Sequence, residues 1–456
     1  MKFLNRKKKL IILIALLLLS SLYIFSIIGN FVKDGYDRQS KLVLTLKSII
    51  SPHYVKKIKE NLFIVYNLKS RNEFLEVQLK KYEQGFNGEK FKSEIVKIGN
   101  KDYKLNHFFT PFKRLDVNLG WNAITNSLRA HYLEIFEDKI FVISGEGQSI
   151  YFKKKNLANE KLNFKNIPNN INEIISKKNS RLIGIRDLFI QDDEIFISMM
   201  TKDEKGITIN IYVADINYKK LNFNLFFQTN EYWKDYNVFS GGRIEKFKEG
   251  NILFSIGYSG MPNVSQNLDS LLGKIIQINL KTKEHKIISI GHRNPQGLRY
   301  LNNHNIIINS EHGPKGGDEI NFNNLKNKKN GLKNYGWDIA SYGSPYNGID
   351  TFKKSHLKYG FIEPAISYTP SIGISEILYF EKNDHCEDKC VWTTSLRANS
   401  IYTLKVGKNF EKLISSNRLL LKKNRIRDID YDHEMDTIIL LSENIPSILT
   451  LKKISD

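Results

Sequence analysis

The sequence predicts an all-β protein, a six-bladed β-propeller with one N-terminal transmembrane helix ahead of it, and three observations carry that prediction. A strand–turn–strand unit closing on a serine recurs six times after residue 118. Most of these units stand about 50 residues apart, which is the length a four-stranded blade occupies. Ahead of them, a cluster of basic residues leads into an uncharged apolar run.

Taken from the N-terminus, residues 1–9 form the basic flank, with Lys2, Arg6, Lys7, Lys8 and Lys9. Leu10 to Ile28 follow without a charge, and 19 residues in a helix span about the thickness of a bilayer's hydrocarbon core. The basic side is expected to stay in the cytoplasm, so the bulk of the chain faces outside it, in the periplasm if the cell is Gram-negative. An uncleaved signal-anchor is preferred to a cleaved signal peptide, because the apolar run is long and no Ala-x-Ala site follows. Both alternatives put the bulk outside. Residues 29–117 mix short apolar runs with Lys/Glu-rich stretches, and no role is legible in this membrane-proximal region.

The propeller is expected over 118–456. Its units read HYLEIFEDKIFVIS, RDLFIQDDEIFIS, GRIEKFKEGNILFS, LRYLNNHNIIINS and RDIDYDHEMDTIILLS, with a weaker copy, CVWTTS. The closing serines are Ser144, Ser198, Ser255, Ser310, Ser395 and Ser442, at gaps of 54, 57, 55, 85 and 47 residues. Short alternating strands with Gly, Asn and Asp turns read as antiparallel sheet. The long gap implies an insertion of roughly thirty residues between Ser310 and Ser395.

Composition narrows the function classes. The net charge of +21 invites a nucleic-acid role, but lysine is scattered through nearly every surface segment and no basic helix or RNA-binding signature gathers it. We expect no nucleic-acid partner. The two cysteines, Cys386 and Cys390, are too few for a zinc site even with His385 beside them. In an oxidising compartment a disulfide closing a small loop is favoured over a free pair.

Chemistry concentrates between Gly291 and Trp337, as GHRNPQGL at 291–298, EHGPKGGDEIN at 311–321 and KNYGW at 333–337. Gly, Pro and paired charges at strand ends mark the loops that gather around a propeller's axis. These three segments resemble the signature of the glucose/sorbosone dehydrogenases, over roughly residues 180–445. The resemblance implies a six-bladed propeller that binds pyrroloquinoline quinone (PQQ) with calcium and oxidises sugars at C1. It makes Arg293 and Asn294 cofactor-binding, gives the Gly313 and Pro314 carbonyls to calcium, and places Asp318 in the site. NRIRD at 424–428 is similar to the family's Arg-x-Arg-Asp segment, adding Arg425 and Arg427, with a catalytic place for Arg427. The family's Ser-Leu-Lys appears as Ser395-Leu396-Arg397, so Arg397 stands for the lysine. The chemistry agrees, since PQQ carries three carboxylates that guanidinium groups bind bidentately, while main-chain carbonyls suit calcium. Each residue also has an ordinary structural role open to it: an inter-blade ion pair for an arginine, a turn for Gly313-Pro314, a cap for Asp318, packing for Tyr335 and Trp337.

Two departures from the family pattern stand out. The family's catalytic histidine precedes a Gly-Gly-Arg-like segment, and here that segment reads Phe239-Ser240-Gly241-Gly242-Arg243. Phenylalanine cannot accept a proton. Asp235, four residues earlier, is the best chemical substitute; His312 has family counterparts that do not serve as the base. The second departure is the absence of the family's glutamine before Gly184-Ile185-Arg186-Asp187. Three functions therefore stay open: a PQQ- and calcium-dependent aldose dehydrogenase with an altered base, a non-catalytic propeller binding a sugar or anionic ligand, and a structural module of the envelope. The surviving Arg and Gly-Pro positions favour the first two.

Overall fold

The computed structural model describes residues 88–112, 128–234, 239–326, 331–346, 349, 351–422 and 424–454. Six sheets, antiparallel except for one short parallel edge pairing, account for the described strands, and they form the six blades of a propeller. The innermost strands are His131–Phe136, Arg181–Gln191, Gly241–Phe247, Pro295–Leu301, Ile374–Phe380 and Ile426–Asp432. Each contacts the next in chain order, and the sixth returns to the first. All six closing serines lie on the second strand of a blade. The repeat therefore counts blades.

Packing explains why the ring holds. Apolar residues on the facing surfaces of neighbouring blades form six buried clusters, one at every blade–blade interface. A buried Ile or Leu contributes about 1.5–3 kcal/mol in such a place, so no interface depends on a single contact. Two serines add polar stitches: the Ser198 hydroxyl donates to the Gly242 carbonyl at 2.5 Å, and the Ser310 hydroxyl donates to that of Ser375 at 2.5 Å. Both bonds cross to the next blade.

The structure moves the expected start of the propeller. Strands Lys90–Ile98 and Lys101–Phe109 lie ahead of residue 118, yet they complete the last blade, the second pairing with the C-terminal strand Ser447–Lys453. The ring is thus closed by its own two ends. The physical reason is edge satisfaction, since a three-stranded last blade would expose an unpaired edge at 447–453. The insertion falls between Asp318–Asn324 and the outer strand Ile366–Tyr368, and lends Lys333–Asn334 to the edge of the third blade. A disulfide joins Cys386 and Cys390 in the hairpin ahead of strand Cys390–Ser395.

The expected transmembrane helix, Leu10–Ile28, lies outside the described residues. Among the described residues no helix is long and apolar enough to cross a membrane.

Candidate functional site

In every blade the start of the inner strand lies against the end of the second strand, as in the pairs Pro295 with Glu311, Ile374 with Ser395 and Ile426 with Ser442. One mouth of the axis therefore collects the loops that carry the motif residues. Beneath it, the buried guanidinium of Arg243 meets Asp187 at 2.7 Å, Glu376 at 3.0 Å and Asp428 at 3.2 Å. It also donates to the Gln296 carbonyl at 2.7 Å and stands over the Tyr132 ring at 4.9 Å. Residues from all six inner strands thus converge on it. Gly242 makes the approach possible: its φ is +113°, and a Cβ there would lie 2.5 Å from that of Arg186.

Above this hub sit the predicted arginines. Arg427 donates to Glu443 at 2.5 Å and to the Gln296 side chain at 2.7 Å. Arg425 reaches the other Glu443 oxygen at 3.3 Å and the Leu396 carbonyl at 3.2 Å, which brings it against the segment holding half-buried Arg397. Burial alone would raise the Glu443 carboxyl, but Arg427 and Arg425 outweigh it and hold the group below its ordinary range.

Arg293 has a different environment. Its guanidinium donates to the His312 carbonyl at 2.9 Å and is walled by Phe239, Trp337 and Tyr258, whose ring centres lie 4.5, 5.1 and 5.7 Å away. Among the described residues its buried Nε has no hydrogen-bond partner. Phe239 also stacks on Tyr258, with 5.9 Å between centroids and 6° between planes. The backbone here is held from behind, for Glu311 accepts from the Arg293 N–H at 2.7 Å and pairs with His292 at 3.0 Å.

Asn294 joins the arginines through its side-chain oxygen, which accepts from Gly241 N at 3.2 Å and from Gln296 at 3.0 Å. His312 lies beside it, donating from Nε2 to the Ile374 carbonyl at 2.6 Å. Burial, with Arg427 and Arg293 nearby and Asp318 pulling the other way, holds its imidazole down to about 4. It is neutral and a weak base.

Asp318 is buried, and its two oxygens take N–H groups from Gly313 at 3.0 Å, Gly373 at 2.7 Å and Ile374 at 3.1 Å. It ties the Gly313-Pro314 loop to the start of the fifth blade. The Pro314 carbonyl meets the hydroxyls of Tyr346 and Ser371, at 3.3 and 3.4 Å. Among the described residues no group of three or more His, Cys, Asp or Glu side chains could hold a metal ion, so a cation here would rest on main-chain oxygens. The structure thus brings Arg293, Asn294, Asp318, Arg397, Arg425, Arg427, Gly313, Pro314 and Phe239 to one mouth. Asp235 falls outside the described residues.

Sequence reasoning missed Arg186, Gln296, Tyr258 and Glu443. Arg186 is buried beside Tyr132, Arg427, Arg243 and Glu443, and burial with those cations lowers its pKa. One signal was available: Arg-Asp opens both RDLFI and RDIDY, and both aspartates, Asp187 and Asp428, clasp Arg243.

Comparison with known proteins was informative at the level of family and fold. A family model described as Glucose / Sorbosone dehydrogenase matches residues 138–450. An aldose sugar dehydrogenase of Escherichia coli, YliI, is 27% identical over 225 residues, covering 46% of this chain and 58% of that protein. An uncharacterized protein of Synechocystis is 27% identical over 236 residues, covering 46% and 55%. The chain spans little more than half the length of these curated relatives. Among solved structures, a glucose dehydrogenase superposes with a TM-score of 0.59 at 19% identity, over 72% of this chain and 98% of that one. The PQQ-bound aldose sugar dehydrogenase of Streptomyces coelicolor gives 0.53 at 16% identity, over 80% and 98%. At these identities the structural likeness speaks for the propeller fold.

Proposed function

The chain belongs to the glucose/sorbosone dehydrogenase family, and on that footing we propose that its arginine-lined mouth binds PQQ in a sugar (aldose) dehydrogenase-like protein. The observation that carries this reading is the gathering of Arg186, Arg425 and Arg427 around the Glu443 carboxylate, with Arg293 close by at His312. That excess of buried cation suits a tricarboxylate. The buried Nε of Arg293, without a hydrogen-bond partner among the described residues, is a donor inside the mouth, and the Phe239, Tyr258 and Trp337 rings offer flat apolar faces beside it. Calcium, in this reading, rests on the carbonyls of Gly313 and Pro314, with Asp318 shaping their loop. PQQ, when bound, supplies the ortho-quinone that accepts hydride.

The chain's own contribution is binding and orientation, with Arg427 nearest to a catalytic role because it is anchored on both sides by Glu443 and Gln296. Proton removal is its weak point. Phe239 stands where the resemblance expects a histidine, and its ring packs on Arg293. His312 is a poor substitute, because burial lowers its basicity and its Nε2–H is engaged on Ile374. The same reading keeps the protein membrane-anchored through Leu10–Ile28, with the propeller outside the cytoplasm and a sugar or other small molecule as its partner.

The test is reconstitution of the full chain with PQQ and calcium, followed by absorbance and sugar-dependent dye reduction. Wild type is expected to bind PQQ and to turn over aldoses slowly. Phe239→His is expected to raise dye reduction by about 10²-fold if the imidazole reaches the sugar hydroxyl, since general bases contribute about 10²–10⁴-fold. Fast wild-type turnover would move the base elsewhere, with Asp235 first to test. PQQ binding with no turnover by either form would favour the non-catalytic ligand-binding propeller.

A further inference from the structure

Lys274 is fully buried, at 0% exposure, and among the described residues no carboxylate pairs with it. Its ammonium instead donates to three main-chain carbonyls, those of Leu272 at 2.7 Å, Val264 at 2.8 Å and Ser265 at 3.2 Å. An ammonium inside a ring of carbonyls occupies the kind of oxygen cage that otherwise takes a metal cation. Glu231 acts on the ammonium through space, at longer range than an ion pair, while its carboxylate is held by the loop. Glu231 accepts from the Ser270 hydroxyl at 2.9 Å and from Leu271 N at 2.5 Å, and Asp338 accepts from Asn263 N at 3.1 Å.

The caged loop runs from Tyr258 to Gly273, and its other side reaches the candidate mouth. Gln266 donates to the Trp337 carbonyl at 2.5 Å and exchanges hydrogen bonds with Asn334. Ser265 takes the Gly291 N–H on its carbonyl at 3.1 Å and gives its hydroxyl to the His292 carbonyl at 3.1 Å, immediately before Arg293. Gly273, at φ +71°, lets the loop fold onto itself, for a Cβ there would meet the Ser265 Oγ at 2.2 Å. Tyr258 begins the loop, Trp337 is tied to its middle, and both wall Arg293.

We propose that Lys274 is a built-in cation that positions the aromatic wall of the mouth, its ammonium gathering the carbonyls of Val264, Ser265 and Leu272 so that Tyr258 and Trp337 face Arg293. The link to a bound ligand rests on the function proposed above; the positioning itself does not. Without the ammonium the Leu272 carbonyl loses its donor, and it faces the Val264 and Ser265 carbonyls, which keep only the N–H groups of Asn267 and Gly291, so removing the cation loosens the loop.

The test uses the full chain in detergent and hydrogen exchange read by mass spectrometry. In Lys274→Ala, peptides covering 258–266, 291–292 and 337 are expected to exchange about ten-fold faster, with the fifth blade unchanged. Added methylammonium, which fits the vacated cage, restores protection, and bulky tetramethylammonium does not. Lys274→Met keeps the side chain's bulk without its charge and is expected to show the same acceleration. Unchanged exchange in both variants, or acceleration in Lys274→Ala that methylammonium fails to reverse, overturns the proposal. PQQ titration adds the ligand arm, with about ten-fold weaker binding in Lys274→Ala recovered by methylammonium. Failure of wild type to bind PQQ would remove the ligand reading while the exchange arm still decides the role of Lys274.

Discussion

His312 shows how much a single buried side chain in the mouth is committed to one charge state. Burial, with Arg427 and Arg293 nearby, holds its imidazole at about 4 against an ordinary 6.5. The unfolded chain takes up this proton first as pH falls. The stability that neutral His312 supports is therefore complete above pH 6.5 and is lost as pH falls from 6.5 toward 4, on the order of 3 kcal/mol for a shift of this size. His312→Gln keeps an N–H donor for the Ile374 carbonyl but cannot titrate. Urea unfolding across that window is expected to show a shallower pH slope in the variant, and an identical slope would assign the acid sensitivity to other groups. Arg293, Asn294, Arg425 and Arg427 were legible because each sits in a compact motif. Arg186 was not, because it stands far from those motifs in the chain and only the closed ring brings it to Arg427; Glu443 was not, because it reaches Arg427 through the pairing of strands Ile426–Asp432 and Thr437–Ser442, a register the motif does not spell out. Phe239 was legible as a missing base, but its stacking on Arg293 was not, since 54 residues separate the two.

At the scale of the element, the second strand of each blade is the most regular feature, which is why the serines counted the blades. It is buried on both faces, so its apolar run is unbroken by charge at positions such as Ile439, Leu440 and Leu441. The closing strands at 90–109 gave no comparable signal. Strand Lys90–Ile98 is the outer edge, reads KFKSEIVKI, and is largely exposed, so its polar pattern resembles a stalk. Its neighbour is different, since Leu105 is fully buried in the cluster between the fifth and sixth blades. Leu105→Ala is expected to cost about 2–5 kcal/mol in urea unfolding, as a cavity in a core does. Leu449→Ala, in the strand it pairs with, should cost a similar amount. If 90–109 did not close the ring, Leu105→Ala would leave stability nearly unchanged.

For the whole molecule, ring closure does the chemical work of assembly. Six separate loops, none of them a site alone, are delivered to one mouth by inner strands that share a direction. Below that mouth Arg243 draws together carboxylates from three blades, while above it Arg186, Arg425 and Arg427 face the carboxylate of Glu443 and Arg293 stands close by. The proposed anchor at Leu10–Ile28 would hold this assembly at a membrane surface. The central claim is that the mouth is a receptor for the polyanion PQQ, and direct titration of the full chain with PQQ in calcium, followed by fluorescence quenching, tests it. Arg425 is the informative position, because it is part exposed and Arg427 still pairs with Glu443 after its removal. Saturable binding at one PQQ per chain, weakened about ten-fold or more in Arg425→Met, is the predicted result. Absence of saturable binding by wild type, or equal affinity in Arg425→Met, would contradict it.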